Sequence, residues 1–404
     1  MLLEGKHIVL GVTGSIAAYK IASLASMLVK KKADVTVIMT PNATNFINPI
    51  TFESLTGNKC LVDTFDRNFE FQIEHVSLAK QTDVFLVAPA SANVIARAAH
   101  GIADDMLTTT LLACQCPKLF APAMNTRMYQ NPIVQDNIRT LLHYGMEVIT
   151  PASGYLACGD TGEGKMPEPE VLYEAVLRAL TLKDLAGKKV LVTAGPTQEK
   201  MDPVRYISNH STGKMGYAIA AAAVRRGADV TLVSGKVELT PPMGVHVVPV
   251  VSAADMAQAV KADAQEQDII IKAAAVADYR PAVTADEKLK KKDDEMNLVL
   301  ERTEDILAWL GVHRRPGQFL CGFSMETEHM LENSRAKLEK KKIDMIVANN
   351  LKQTGAGFGT DTNVVTLLTK EDTLTLPIMS KEEVADRLLT FIMKKSFYAG
   401  EREA

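Results

Sequence analysis

The chain begins twice, and that repetition constrains its fold more than any other feature. "LEGKHIVLGVTG" at residue 3 is echoed by "LAGKKVLVTAGP" at residue 185, and "ADVTVIMT" at 33 by "ADVTLVSG" at 228. In each copy a short apolar, β-rich run enters a glycine-containing turn. A helical stretch and a second β-rich run follow. This is a βαβ unit, whose strands run parallel because the crossover helix returns the chain to the same end of the sheet. Two such starts predict two α/β domains, each a doubly wound, Rossmann-like parallel sheet. The junction falls around 180–189 and divides the chain into 1–189 and 190–404. Further strands are predicted near 84–88, 118–121 and 147–150, then near 246–250, 268–272 and 343–348. Residues 363–377 read as a hairpin, 380–395 as an amphipathic helix, and the charged run 284–296 as a loop.

Composition excludes several classes. With 47% apolar and 23% charged residues and a net charge of −3, nothing points to a nucleic-acid or membrane surface. No apolar run reaches transmembrane length, and "MLLEGKHIVLG" does not read as a secretion signal. Cysteines at 60, 114, 116, 158 and 321 are odd in number and scattered, which fits a reducing cytoplasm better than a disulfide framework. Cys114-Gln-Cys116 is too tight for a usual zinc pair.

The turns after the strands hold the candidate chemistry. "GVTGSIAAYK" is not G-x-G-x-x-G, so a single phosphate suits Gly14 and Ser15 better than a pyrophosphate. "APASANVIARAAH" follows another strand, and ligands of open parallel sheets sit at the carboxyl ends of strands. Ser91 and Asn93 therefore either contact that ligand or simply cap the helix. Asn125 lies just past a strand in "FAPAMNTRMY". "GYLACGDTGEGKMPEP" is too polar and glycine-rich for a core, and reads as a clamp that leaves Cys158 accessible. His75 heads a predicted helix.

In the second half, "SNHSTGKMG" has a P-loop's composition but not its order. Met215 stands where the Mg²⁺-binding hydroxyl belongs. It reads either as an anion-binding turn of another kind or as an ordinary strand-to-helix turn. "AAAVADYRP" starts with Ala273, Ala274 and Ala275 at a strand end, leaving backbone N–H groups open to a ligand. Asp278 is read as a ribose or Mg²⁺ contact, or as a helix cap. Lys337 and Lys341 share one helix face.

"PASAN", "PAMNTRMY" and "ACGDTGEGKM", with His75 upstream, resemble the flavoprotein cysteine decarboxylases. "TAGPTQEKMDPVRYISNHSTGKMG", "AAAVADYRP", "EKLKKK" and "RAKLEKKK" resemble phosphopantothenate–cysteine ligases. Order and length are similar to the bacterial bifunctional coenzyme A biosynthesis family, across nearly the whole chain.

For the first half the resemblance implies an FMN-dependent decarboxylase. FMN takes a hydride from the cysteine moiety, the resulting thioaldehyde acid loses CO₂, and the hydride returns. It implies Gly14, Ser15, Thr40, Ser91 and Asn93 around FMN, His75 at the oxidative decarboxylation, Asn125 on the substrate carboxylate, and Cys158 as proton donor. Tyr129 stands where the family often has Trp, and Lys165 where Arg is common.

For the second half the resemblance implies CTP-dependent formation of an acyl-cytidylate that the amine of cysteine attacks. "SNHSTGKMG" would hold that intermediate, with Asn209 serving its turnover. Lys288 would close over the triphosphate. Ala273–Ala275, Asp278, Asp305, Ile306, Phe323, Lys337 and Lys341 would bind CTP, with Mg²⁺ at Asp278. The family's Asn-Pro-Asp-Ile reads Thr303-Glu304-Asp305-Ile306 here. Trimers through the flavin half and dimers through the ligase half would build a dodecamer. The rivals are a flavin reductase with a degenerate second domain and a non-enzymatic binding module, which has no need of a proton donor at Cys158.

Overall fold

The computed structural model describes residues 2–65, 74–155, 159, 161–290, 297–326, 330–350, 357 and 359–400. The chain divides into two compact units, Met1–Thr181 and Leu182–Ala404. Leu185 is fully buried in the second core, and its amide donates to the Arg226 carbonyl at 3.0 Å. The division therefore falls at the start of the 180–189 stretch. No described helix is long and apolar enough to cross a membrane.

In the first unit, five strands form one parallel sheet: β1 (His7–Val12), β2 (Asp34–Met39), β3 (Val84–Ala90), β4 (Lys118–Pro122) and β5 (Glu147–Val148). Their order is β2-β1-β3-β4-β5. Alternate residues of β1 serve opposite faces. Ile8, Leu10 and Val12 pack with Ile21, Leu24, Leu172 and Val176 of helices Tyr19–Lys30 and Pro169–Leu180. Val9 packs with Leu107, Leu111 and Ile138 of helices Met106–Ala113 and Pro132–His143. With both faces covered, the strands read as continuous apolar runs. The glycine-rich segment predicted as a clamp contains a hairpin, β6 (Ala152–Tyr155) against β7 (Thr161–Lys165).

The second unit is built on an eight-stranded sheet. Its parallel part comprises β8 (Lys189–Ala194), β11 (Asp229–Ser234), β12 (Val245–Pro249), β13 (Ile269–Lys272), β16 (Phe319–Glu326) and β17 (Met345–Asn350). The predicted hairpin is present as β18 (Thr362–Leu368) and β19 (Thr373–Ser380), added antiparallel at one edge. The full order is β12-β11-β8-β13-β16-β17-β18-β19. Two short ribbons were not anticipated: β9 (Gln198–Lys200) with β10 (Tyr206–Ser208), and β14 (Tyr279–Pro281) with β15 (Leu300–Arg302). The final helix runs Lys381–Gly400. Arg226, 4% exposed, fastens that helix to the start of the unit. Its Nε donates to Asp184 at 2.8 Å and its Nη1 to Thr390 Oγ1 at 3.0 Å.

Candidate functional sites

In an open parallel sheet the crevice forms where the strand order reverses. In the first unit that point lies between β1 and β3. Thr13 stitches the two turns there together: its buried Oγ1 donates to the Pro89 carbonyl at 2.6 Å and accepts the Ser91 amide at 3.0 Å. Gly14–Ser15 and Ser91–Asn93 are thereby brought side by side. Ser15 Oγ accepts from Ala17 N at 3.4 Å, and Ser91 Oγ from Val94 N at 3.4 Å, so both hydroxyls do cap helical turns. Asn93 is exposed on the first turn of helix Ala92–Ala99.

The turn after β2 closes on the same place. A Cβ on Gly14 would stand 2.8 Å from Asn42 Cβ, so only glycine lets the two turns approach this closely. Thr40 N donates to the Val12 carbonyl at 3.0 Å, but Thr40 Oγ1 is buried without a hydrogen-bond partner among the described residues. A buried hydroxyl left unsatisfied costs about 1–3 kcal/mol, so its presence beside this crevice points to a ligand that satisfies it.

Asn125 follows β4, one strand further along. It caps helix Thr126–Tyr129, its Oδ1 accepting the Arg127 amide at 2.9 Å. The β6–β7 hairpin is pressed onto this turn. Met124 N donates to the Gly164 carbonyl at 3.0 Å, and Gly164 adopts φ +119°. A Cβ there would lie 2.4 Å from the Met124 carbonyl oxygen, and one on Gly162 would lie 2.6 Å from Thr126 Oγ1. Glu168, just beyond the hairpin, takes Lys20 Nζ at 2.7 Å and Lys165 Nζ at 3.7 Å. The hydrogen bond from Lys20 holds the Glu168 carboxyl below the usual range. Burial, and then the charge of Glu163, push the Tyr129 phenol up.

His75 is half-buried on helix Glu74–Gln81, which packs on helix Met106–Ala113. Among the described residues its ring makes no hydrogen bond or ion pair. Cys158 lies outside the described residues.

In the second unit the order reverses between β8 and β13, and a cavity of about 350 Å³ opens there. Its lining includes Ser211–Gly216, Lys272–Val276, Asp278, Thr303–Leu307, Phe323, Lys337 and Lys341. Every residue predicted to touch CTP, apart from Lys288, therefore lines one cavity.

The alanine segment follows a non-helical path, but two of the N–H groups expected to stay open to a ligand, those of Ala274 and Ala275, are engaged within the protein because the end of β8 and the turn after it supply acceptors. Ala274 N donates to Thr193 Oγ1 at 3.1 Å, Ala275 N to the Gly195 carbonyl at 3.0 Å, and Ala277 N to Thr197 Oγ1 at 3.0 Å. Asp278 caps no helix. It leads into the short strand β14, and its carbonyl accepts the Thr303 amide at 3.0 Å. The SNHSTGKMG turn ends at Gly213, φ +78°, the N-cap of helix Lys214–Arg225, with no side chain capping it. Among the described residues no side chain accepts the first N–H groups of that helix, which suits them to an anion. Lys214 Nζ itself turns to Asp361 at 2.7 Å.

Asp305 caps helix Ile306–His313, accepting Ala308 N at 3.0 Å, and pairs with Lys341 Nζ at 3.0 Å. Burial pushes its carboxyl up, but the Ala308 amide and Lys341 outweigh that and hold it below the usual range. Lys337 Nζ donates to Ser324 Oγ at 3.3 Å. Asn209 is exposed beside the cavity, with Nδ2 on the Ala275 carbonyl at 3.0 Å. Lys288 stands on the exposed stretch before Leu289. That stretch is anchored by Leu289 N to Asp202 at 3.1 Å and by Arg205 to the Leu289 carbonyl at 2.7 Å.

Two lining lysines escaped the sequence reading. Lys272 ends β13, and its signal was an ionisable residue closing the apolar run Ile269–Ile271. Lys381, 6% exposed, donates to the Gly357 carbonyl at 3.1 Å and to the Thr360 carbonyl. At the head of an acidic helix it reads as surface, so no signal marked it.

The family described as Flavoprotein matches residues 2–181, and that described as DNA/pantothenate metabolism flavoprotein C-terminal domain matches residues 185–395. The coenzyme A biosynthesis bifunctional protein CoaBC of Bacillus subtilis (strain 168) is 48% identical over 406 aligned residues, covering 99% of this chain and 100% of that protein. The protein of that name from Vibrio vulnificus (strain YJ016) is 45% identical over 389 residues, 96% of this chain and 97% of that one. A crystal structure of the C-terminal domain of a CoaBC protein is 44% identical, covering 52% of this chain and 96% of that domain, with a TM-score of 0.45. With this identity sustained along essentially the full length of both chains, the protein belongs to the family of bifunctional coenzyme A biosynthesis proteins.

Proposed function

We infer that the chain carries out two consecutive steps of coenzyme A biosynthesis. The second unit joins cysteine to 4′-phosphopantothenate at the expense of CTP. The first unit decarboxylates the 4′-phosphopantothenoylcysteine so formed to 4′-phosphopantetheine. The observation that carries this reading is the full-length relationship to bifunctional relatives, joined to a separate, differently built crevice in each unit.

In the ligation step an unactivated carboxylate must be made electrophilic, so the nucleotide serves to provide a leaving group. Lys337 and Lys341 meet the negative charge that grows as pyrophosphate departs. The first N–H groups above Gly213 offer an anion site without a mobile side chain. Asn209, fixed to the Ala275 carbonyl at 3.0 Å, is suited to orient the acyl carbonyl without adding charge. Lys288, on its exposed stretch, closes over the triphosphate. Among the described residues no group of three or more His, Cys, Asp or Glu side chains forms a metal cage. Asp278 would hold Mg²⁺ as a single protein contact, with the triphosphate supplying other oxygens, and the ion would neutralise charge growing on the leaving pyrophosphate.

In the decarboxylation step FMN, when bound, supplies the hydride acceptor and donor. Gly14, Ser15, Ser91 and Asn93 offer it backbone and side-chain contacts, and Thr40 Oγ1 offers a hydrogen bond it lacks among the described residues. Asn125 orients the substrate carboxylate under the β6–β7 hairpin. His75 serves the oxidative step, and Cys158 delivers the final proton. The flavin half assembles as trimers and the ligase half as dimers, together a dodecamer.

The purified protein is expected to carry flavin absorbance and to release pyrophosphate from CTP only when 4′-phosphopantothenate is present. A colourless protein that releases none contradicts the assignment. Thr40→Val keeps the volume but removes the unpaired hydroxyl. FMN affinity, read by flavin absorbance titration, is expected to fall about tenfold. Undiminished affinity removes Thr40 from the flavin site.

A further inference from the structure

Lys272 closes β13, with Thr193 of β8 and Gly322 of β16 as its neighbours in register. Strand alternation puts its side chain on the face of Ile270, which packs with Leu307, Leu310 and Leu338. The same face carries Ser324, where Lys337 is bound at 3.3 Å. Lys272 lines the cavity, yet among the described residues its ammonium makes no hydrogen bond and no ion pair. Asp305 is already engaged, by Lys341 at 3.0 Å and the Ala308 amide at 3.0 Å. Across the lining, five lysines face three carboxylates.

An ammonium partly buried at a cavity wall without a partner is costly, and such charges are ordinarily paired. Among the described residues no carboxylate stands within ion-pair distance of Lys272, and the excess of positive charge across the lining matches a polyanion. We propose that Lys272 is a nucleotide-binding residue of the ligation site, whose ammonium pairs with a phosphate oxygen of the nucleoside triphosphate. This rests on the ligase reading above.

Burial first, and then the charge of Lys341, push Lys272 down to about 8, with Asp305 and Asp278 offsetting part of the effect. The groups around it are Lys337 and Lys341 from the helix ending at Lys340 and the turn after it, Glu304 and Asp305 from the cap, Asp278, and Lys214. Pairing with an oxyanion needs the ammonium form. That form is present below pH about 8 and is lost as pH rises through that value. CTP affinity of the free enzyme therefore falls as pH rises from 7.5 to 9.5, on a curve that Lys272 sets. Arginine in its place does not titrate in this range.

The test is calorimetric binding of CTP with Mg²⁺ to the full chain, without 4′-phosphopantothenate, from pH 7 to 9.5. Lys272→Met is expected to bind about tenfold more weakly than wild type at pH 7, with the gap closing towards pH 9.5. Lys272→Arg is expected to hold its affinity up to pH 9.5, a readout that a purely structural lysine would not move. Thermal melts of both variants verify folding. Unchanged affinity in Lys272→Met, or the same alkaline decline in Lys272→Arg, overturns the proposal. Wild-type protein that binds no CTP at any pH overturns the ligase reading and this proposal with it.

Discussion

Replacing Gly164 by alanine is expected to make 4′-phosphopantothenoylcysteine accumulate, because its decarboxylation slows. Gly164 sits at φ +119°, a backbone region in which an L side chain is strained by about 1–3 kcal/mol. The new Cβ would also stand 2.4 Å from the Met124 carbonyl oxygen, which is backbone and cannot swing aside. The hairpin must lift from the turn that presents Asn125, breaking the bond from Met124 N to the Gly164 carbonyl at 3.0 Å. A displacement of about 1 Å at a reacting group costs about 10²-fold in rate, and that is the expected loss in decarboxylation. Flavin absorbance should persist, because Gly14, Ser15, Thr40 and Ser91 stand on other turns. Decarboxylation within a few-fold of wild type would separate the hairpin from the reaction.

Gly311→Ala is expected to produce the opposite phenotype. Gly311 lies buried in helix Ile306–His313, and a Cβ on it would fall 1.8 Å from the Lys341 carbonyl oxygen. The helix has to retreat from the turn at Lys341. Overpacking of this kind typically costs about 1–3 kcal/mol. The functional effect is larger, because the same contact sets Asp305 against Lys341 at 3.0 Å at the cavity wall. Ligation is expected to fall about 10²-fold, while externally supplied 4′-phosphopantothenoylcysteine is still decarboxylated. Assaying each half-reaction separately by coupled pyrophosphate release and CO₂ release decides it. Loss of both activities would mean that the substitution unfolds the chain rather than reshaping one cavity.

The parallel sheets were legible because their strands are buried on both faces. "IVLGV" and "VFLVAPA" are apolar throughout, and the repeated βαβ pattern told that the strands run parallel. The β18–β19 hairpin was legible from two β-rich runs around a charged turn. The β6–β7 hairpin was not read as strands, because "TGEGK" has no apolar alternation and its pairing rests on backbone alone. The ribbons β9–β10 and β14–β15 span three residues a strand, too few for a period of two to show. Strand order, and with it the location of each crevice, came only from the folded chain.

The site residues divide along the same lines. Ala273–Ala275, Asp278, Asp305, Ile306, Phe323, Lys337 and Lys341 were found through motifs, and they line one cavity despite spanning some 70 positions of sequence. Lys272 was overlooked because it looks like the polar end of a strand. That its ammonium has no partner among the described residues is a property of packing, and spacing cannot reveal it. Thr40 Oγ1 is a similar case, since only the folded turn shows that its hydroxyl is left without a partner among the described residues.

The most direct test of the whole account is a product mass spectrum. The purified chain is incubated with 4′-phosphopantothenate, cysteine, CTP and Mg²⁺, with FMN supplied. 4′-Phosphopantetheine is expected to appear, with 4′-phosphopantothenoylcysteine as a transient and none of either when CTP is withheld. Formation of neither product in the complete mixture would contradict the account.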